Sequence, residues 1–208
     1  MIHAVKQDRV IIRQPVANLD RPREIVDRGL VRVVRCCQTP RETPGLFLPE
    51  LLEAMNVLLD ETTEIPGGGG VATAYDVFRW AEALRRGGEL EGARVLSPAI
   101  LDLSTCNHTG TEPNHLFDYM RELRGWDEFP AFLGLGFFVR GEGIFPMPFG
   151  LTASPRTFGG LGAGSTMFLV DPERELVFVC LTVGLVEESR NFDRLQRLSD
   201  LVFSAITD

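Results

Sequence analysis

The glycine-rich stretch FGGLGAGS, Phe158 to Ser165, constrains the fold more than any other part of the sequence, because four of its eight residues are glycine. It leads into two apolar runs, 165–170 and 175–183, joined by the sequence DPER, in which proline presets the second position of a turn. The pattern predicts an antiparallel hairpin. Glycines ahead of such a strand let a second backbone or a ligand lie close against it, and both explanations are open at this point.

Capping signals predict a helix directly after the glycine run Gly67–Gly70. Thr73 is followed three residues later by Asp76, the spacing at which a hydroxyl and a carboxylate satisfy the free amides of a helix start. Gly87 and Gly88 can adopt the left-handed conformation that ends a helix. The apolar face of this helix comprises Ala74, Val77, Phe78, Ala81 and Leu84.

Two further helices and one more strand are predicted downstream. Ser97 followed by Pro98 is typical of the start of a short helix, and Asn191 is the predicted cap of the C-terminal helix. The stripe of the last helix contains Phe192, Leu195, Leu198, Leu201, Val202 and Ala205. The run FLGLGFFVRGEG, residues 132–143, is predicted to be a strand interrupted by glycines.

Residues 1–65 give weaker signals. The runs RVIIR and GLVRVVRCC could form strands, and Leu48 to Glu61 has the apolar spacing of a short helix. We therefore predict two units, an N-terminal segment 1–65 and a domain 66–208. Helices and strands do not alternate regularly, so the predicted fold class is α+β, an antiparallel sheet flanked by helices.

Composition excludes several partners. The net charge of −8 repels phosphate backbones and argues against nucleic-acid binding. The longest apolar run, about Leu176 to Val186, is too short for a membrane-spanning helix, and the charged N-terminal stretch does not look like a signal peptide. The four cysteines show no disulfide or metal spacing, so we expect unpaired thiols and a cytoplasmic location.

Three local patterns resemble known binding or catalytic motifs but match each motif only in part. Gly67–Gly70 lacks the Gly-Lys-Ser/Thr ending of a phosphate-binding loop. Cys106, His108 and His115 are all potential zinc ligands, but their spacing is not that of a zinc site. The triplet His108-Thr109-Gly110 has the form of the Lys-Thr-Gly element of penicillin-recognising enzymes, yet no strand pattern surrounds it. We therefore expect a loop and no metal or cofactor.

Several motifs in order resemble one family. The segment from PGGGGVATAYD through GGELEG and LSP, then FLGLGFFV, then FGGLGAGSTMFLVDPERELVFVCLT, is similar to class C β-lactamase-like serine hydrolases, which include related esterases and peptidases. The resemblance covers Pro66 to Asp208 and implies part of the β-lactamase/transpeptidase-like fold. It further implies that residues 1–65 correspond to the variable insertion ahead of the glycine run.

Family chemistry needs a Ser-x-x-Lys nucleophile, a Tyr or Ser that moves protons, and a third-motif strand that holds the acyl group. No serine of this sequence has a lysine three residues later, so we predict no catalytic residue and an inactive, truncated or degenerate hydrolase. In the third motif, Gly160, Leu161 and Gly162 replace the usual polar opening. The resemblance assigns only their backbone, as the binding edge for a small acyl substrate.

Two alternatives remain. The chain could be a non-catalytic binding module that uses the exposed sheet edge for self-association or for a complementing chain, because an incomplete sheet exposes apolar surface. It could also be an enzyme with a rebuilt site, in which Ser165 beside the glycine strand acts with a distant base.

Overall fold

The computed structural model describes residues 72–162, 165–182 and 186–206, together with one strand at 30–35. The helices are α1 (Ala74–Arg85), α2 (Pro98–Thr105), α3 (Asp118–Arg124) and α4 (Glu188–Ser204), with a short 3-10 helix at His115–Phe117. The strands are β1 (Leu30–Arg35), β2 (Glu89–Leu90), β3 (Ala93–Arg94), β4 (Phe138–Val139), β5 (Phe158–Gly162), β6 (Thr166–Asp171) and β7 (Leu176–Leu181).

Five of these strands form one sheet in the order β1-β7-β6-β5-β4, and β2 and β3 form a separate small hairpin. Strands β4 to β7 are antiparallel, whereas β1 lies parallel to β7 with Leu30 opposite Leu176. The α+β class is therefore confirmed, and GLVRVVRCC does contain a strand. The parallel β1–β7 pair departs from a purely antiparallel sheet.

The sheet is covered by one helix on each face. On one face, α1 packs Phe78 and Leu84 against Val177 and Val179 of β7. On the other face, residues of α4 and of the sheet form the second core cluster, whose members include Leu169, Leu176, Phe178, Leu195, Val202 and Phe203. The strands alternate between the two clusters, as a sheet buried on both sides requires. None of the described helices combines the length and apolarity that crossing a bilayer would need.

Helix α1 starts as the capping signal predicts. Thr73 Oγ1 accepts a hydrogen bond from the Asp76 amide at 3.2 Å, and the Asp76 carboxylate accepts from the Thr73 amide at 3.1 Å. Inside the helix, Glu82 is buried and accepts hydrogen bonds from Arg85 and Arg86. Burial alone raises the pKa of this carboxyl, but the two guanidinium groups outweigh it and hold the pKa below its usual range.

The β6–β7 hairpin is confirmed, and a buried aspartate organises its turn. Asp171, the last residue of β6, is fully buried. One of its carboxylate oxygens accepts from the amides of Glu173 and Arg174, and the other accepts from the amide of Ser154. The carboxylate thus closes the turn and attaches it to the segment that precedes β5.

Two sequence predictions about the last helix are wrong. Asn191 does not cap the last helix. Glu187 accepts from the amides of Ser189 and Arg190 and caps α4 four residues earlier. Leu201, predicted in the apolar stripe of that helix, is 51% exposed. Helix α3 has no counterpart among the elements that the sequence predicts.

The predicted strand over residues 132–143 is reduced to the two residues of β4. Phe132 and Gly136 have positive φ angles of 45° and 82°, and the Leu135 amide donates to the Ser104 carbonyl. The chain therefore turns toward α2 instead of running along the sheet. Four features of the sequence analysis lie outside the described residues: the run RVIIR, the helix predicted at 48–61, the glycine run Gly67–Gly70, and the adjacent Cys36 and Cys37.

Candidate functional site

The outer edge of β5 is only partly covered by β4. Val139 lies opposite Phe158, and Phe138 lies opposite Gly159. Beyond these two pairs, Gly160–Gly162 continue the strand, and none of the described strands pairs with them on that side. A sheet edge of this kind presents main-chain donors and acceptors to any extended ligand.

The main-chain groups that face this open edge are those of Leu161. The Arg140 amide donates to the Thr157 carbonyl at 2.7 Å, in register with the β4–β5 ladder. Since hydrogen-bonding directions alternate along an antiparallel strand, residues 157, 159 and 161 turn their amide and carbonyl groups outward. Gly160 and Gly162 turn theirs inward, toward Phe168 and Thr166 of β6.

The glycines of β5 are required by contacts inside the sheet. A Cβ on Gly159 would lie 2.2 Å from the Phe168 carbonyl oxygen, which is backbone and cannot rotate away. A Cβ on Gly160 would meet the Phe168 ring at 2.6 Å, and one on Gly162 would meet the Thr166 hydroxyl at 2.3 Å. The close approach predicted from the sequence therefore exists, and the neighbouring strand makes it.

Leu161 covers a small apolar cavity on the α4 side of the sheet. Its volume of ≈ 10 Å³ is about that of one water-sized sphere, so it has no room for a substrate. Asn114 is the one amide in a lining that is otherwise aromatic or aliphatic. The lining residues are Asn114, Phe117, Phe129, Pro130, Ala131, Phe138, Met147, Pro148, Phe149, Leu161 and Phe192.

The wall of this cavity is held in place by a buried arginine. Arg140 is 4% exposed and donates to the carbonyls of Gly141, Gly143, Gly150 and Leu151. Burial lowers the pKa of its guanidinium, and the Asp200 carboxylate nearby opposes that shift. Residues 141–152, which include three lining residues, are thereby closed into a compact loop.

Helix α4 ties the same loop down from the other side. Gln196 accepts from the Met147 amide at 2.8 Å, and Ser199 donates to the Pro148 carbonyl at 2.8 Å. The Asp200 carboxylate accepts from the amides of Leu151 and Thr152. The loop beside Leu161 is thus fixed at several points along its length.

Ser165 is a structural residue in this fold. It is fully buried with φ of +64°, and its hydroxyl accepts from the Val186 amide at 3.2 Å. Its carbonyl accepts from the Thr182 hydroxyl and from Arg194 of α4. These bonds join the hairpin turn, the end of β7 and α4. A hydroxyl held in this way is inaccessible, which argues against Ser165 as a nucleophile.

All seven serines of the sequence lie in described residues, and none has the surroundings of a nucleophile. Ser104, Ser154, Ser165, Ser189 and Ser199 are buried. Ser97 is exposed, but its hydroxyl accepts from the Ile100 amide as the cap of α2. Ser204 is exposed and donates to the Leu201 carbonyl in the last turn of α4.

Each of the three residues considered as zinc ligands contacts a different partner. The Cys106 thiol bonds to the Asp102 carbonyl, and His108 Nε2 lies 2.7 Å from the Leu103 carbonyl. His115 Nδ1 lies 2.9 Å from the Asp118 carboxylate. Among the described residues, no group of three or more ligand-type side chains could hold a metal ion. The triplet at 108–110 is a loop, as expected.

Comparison with known proteins decides the family. The family model described as Beta-lactamase matches residues 6–201, nearly the whole sequence. The match begins well upstream of Pro66, where the motifs quoted above start. The chain belongs to the beta-lactamase family. No curated protein matches this beta-lactamase family chain.

Solved structures that resemble it include the following two. A beta-lactamase from Mycobacterium bovis is 26% identical with a TM-score of 0.51, and the match covers 64% of this chain and 44% of that one. A penicillin-binding protein homolog from Caulobacter crescentus is 19% identical with a TM-score of 0.39, over 61% of this chain and 30% of the other. This beta-lactamase family chain therefore spans less than half the length of the Mycobacterium enzyme. The family model and the Mycobacterium structure support the expected fold, part of the β-lactamase/transpeptidase-like architecture.

Proposed function

We propose that this chain supplies the sheet and the acyl-binding edge of a serine hydrolase similar to class C β-lactamases, and that it carries no acylating group of its own. The proposal depends on the burial and the hydrogen bonds of the seven serine side chains. Five are buried, and the hydroxyls of the other two are engaged at helix ends. None is followed three residues later by a lysine, and the sequence holds a single lysine, Lys6.

The open edge of β5 is the part of the family site that we assign to this chain. Its substrate-binding residues are Gly160, Leu161 and Gly162. The amide and carbonyl of Leu161 would bond to a small acyl substrate, while the two glycines keep β5 tightly paired with β6. Donors placed in this way stabilise an acyl oxygen, but hydrolysis also needs an activated nucleophile.

The groups that complete the site would come from elsewhere, either a further part of a longer protein or a complementing chain. A partner is consistent with the unpaired edge of β5, which an added strand could extend. The alternative, a non-catalytic interaction module, uses the same edge without any substrate. A cytoplasmic location stays part of the proposal, based on the cysteine spacing of the sequence, which is typical of unpaired thiols.

Covalent labelling tests the proposal. The folded chain would be incubated with a fluorophosphonate and, separately, with a penicillin, followed by intact-mass measurement. We expect the mass of the unmodified chain, because no serine hydroxyl is both accessible and activated. A family enzyme that contains Ser-x-x-Lys, treated in the same way, is the positive control.

A stoichiometric adduct on any serine would contradict the proposal. Ser97→Ala and Ser204→Ala variants identify trivial labelling of the two exposed hydroxyls, which would be slow and substoichiometric. An adduct that survives both replacements would have to lie on a serine that is buried here.

A further inference from the structure

An exposed apolar stripe runs along the 3-10 helix and α3. Leu116, Tyr119 and Leu123 are 68%, 71% and 55% exposed. The step of three residues leads from the 3-10 helix into α3, and the step of four lies within α3, so the three side chains share one side of the helix. We call these three residues the α3 stripe. Single exposed apolar side chains are ordinary, but a continuous apolar patch marks an interaction site.

The α3 stripe stands on a well-packed base. Phe117 and Met120 are buried and belong to the same core cluster as Phe192 of α4. At the end of α3, Arg124 donates to the Ser189 hydroxyl of α4 at 2.7 Å. The core thus takes the inner side of these helices and leaves the α3 stripe outside.

The unpaired charges around the α3 stripe are acidic. The basic side chains of residues 112–128 are engaged, because His115 and Arg121 contact Asp118 and Arg124 is bonded to Ser189. Four exposed carboxylates in the same range form no hydrogen bond or ion pair with another described residue: Glu112, Glu122, Asp127 and Glu128.

These carboxylates lie near both ends of the α3 stripe. The Asn114 amide donates to the Phe129 carbonyl at 3.2 Å, so the chain that follows α3 returns to the start of the 3-10 helix. Glu128, which precedes Phe129, is thereby brought to the first residue of the stripe. Glu122 directly precedes the last residue of the stripe in α3. The surface is therefore an apolar strip with negative charge at each end.

We propose that the α3 stripe is the docking surface for a cationic amphipathic helix of a partner protein. Apolar side chains at helical spacing on that helix pack against the stripe, and its lysine or arginine side chains pair with the carboxylates at the two ends. This surface is separate from the main-chain edge of β5, and its occupation does not depend on the proposed function.

Charge disfavours the other occupants. A second copy would bring the same carboxylates against the α3 stripe, and the net charge of the whole chain is −8. An anionic lipid surface is repelled in the same way. The sequence of residues 36–71 contains six acidic residues and one basic residue, so it does not complement the stripe either. Residues 1–29 contain six basic and four acidic residues, and labelling of Tyr119 tests whether they cover the stripe.

Fluorescence anisotropy tests the proposal on the full chain at low ionic strength. The probe is a fluorescein-labelled peptide of leucine and lysine with its leucines at helical spacing, and the matched control peptide has glutamate in place of every lysine. We expect saturable binding of the lysine peptide and at least tenfold weaker binding of the glutamate peptide. The absence of saturable binding, or equal affinity for the two peptides, would overturn the proposal.

Matched variants locate the binding. Leu116→Ser and Leu123→Ser should each weaken the lysine peptide at least fivefold, whereas Ile100→Ser, at an exposed apolar residue of α2, should leave the affinity unchanged. Glu122→Gln should weaken it about threefold, and Glu173→Gln, in the turn of the β6–β7 hairpin, should not. Equal effects of the stripe variant and its control in either pair would mean that the peptide binds the acidic chain non-specifically, which contradicts the assignment.

Two measurements on the free chain detect the other occupants. The sequence contains two tyrosines, so Tyr75→Phe leaves Tyr119 as the single target of N-acetylimidazole. We expect acetylation within about threefold of the rate in the urea-unfolded chain, slowed by the lysine peptide. Strong protection of Tyr119 in the free chain would mean that the chain's own residues cover the stripe. A dimer in sedimentation equilibrium that Leu123→Ser dissociates would mean a second copy, and either result would overturn the proposal.

Discussion

Replacing Arg140 by alanine should lower the free energy of unfolding by about 4 kcal/mol. The guanidinium is buried and serves four carbonyls of the loop 141–152, from Gly141 to Leu151. Removing it leaves these acceptors without their partner, and each unsatisfied buried group costs about 1–3 kcal/mol. Chemical denaturation followed by circular dichroism measures the change.

The control is Arg197→Ala in α4. The Arg197 side chain is 75% exposed and pairs with Asp193, so its loss should cost less than about 1 kcal/mol. Arg140→Lys should recover only part of the stability, because an ammonium group cannot reach all four carbonyls that the planar guanidinium joins. Equal stability of Arg140→Ala and Arg197→Ala would show that the arginine does not organise the loop.

Gly159→Ala should destabilise the chain by about 3 kcal/mol. The added methyl group would lie 2.2 Å from the Phe168 carbonyl oxygen and 3.0 Å from the Leu169 Cα, both in β6. To relieve this overlap, β5 and β6 would have to separate within the sheet. The same denaturation experiment measures the effect.

Gly87→Ala separates steric overlap from backbone strain. Gly87 has φ of +77°, and no atom lies within 4 Å of the place that an added methyl group would take, so the cost there is that of a left-handed alanine, about 1 kcal/mol. If Gly159→Ala costs no more than Gly87→Ala, the close pairing of β5 and β6 at this position is wrong.

Local sequence signals predicted the elements that depend on neighbouring residues. The capping pair Thr73 and Asp76, the cap Ser97 and the turn at 171–174 act within three or four residues of the chain, and all occur as expected. The start of α4 was misplaced because a glutamate is an uncommon cap. Asn191 is the better candidate by type, but Glu187 has the amides of Ser189 and Arg190 within reach.

The candidate site depended on contacts between distant segments, which the sequence does not display. The length of β4 is limited by the attachment of Leu135 to Ser104, and this limit leaves Leu161 uncovered. The glycines of β5 suggested a ligand as readily as a second strand. Only the positions of Phe168 and Thr166 in the structure show that close packing against β6 explains these glycines.

The contact between the rings of Trp80, Phe137 and Phe168 also lies beyond sequence reasoning. Trp80 belongs to a helix whose predicted apolar face did not include it, and Phe137 and Phe168 come from two separate strand regions. Their proximity follows from the packing of α1 on β6 and β7. A pattern read along the chain carries no signal for a cluster assembled from three segments.

Residue-resolved amide hydrogen exchange tests the central claim most directly, namely that the backbone of Leu161 faces an open edge. We predict that the Leu161 amide exchanges quickly in the folded chain, whereas the amides of Gly160 and Phe178, which point into the sheet, are protected by at least a hundredfold. A Leu161 amide as protected as that of Gly160 would mean that the edge is closed, and the assignment of an acyl-binding site to it would be wrong.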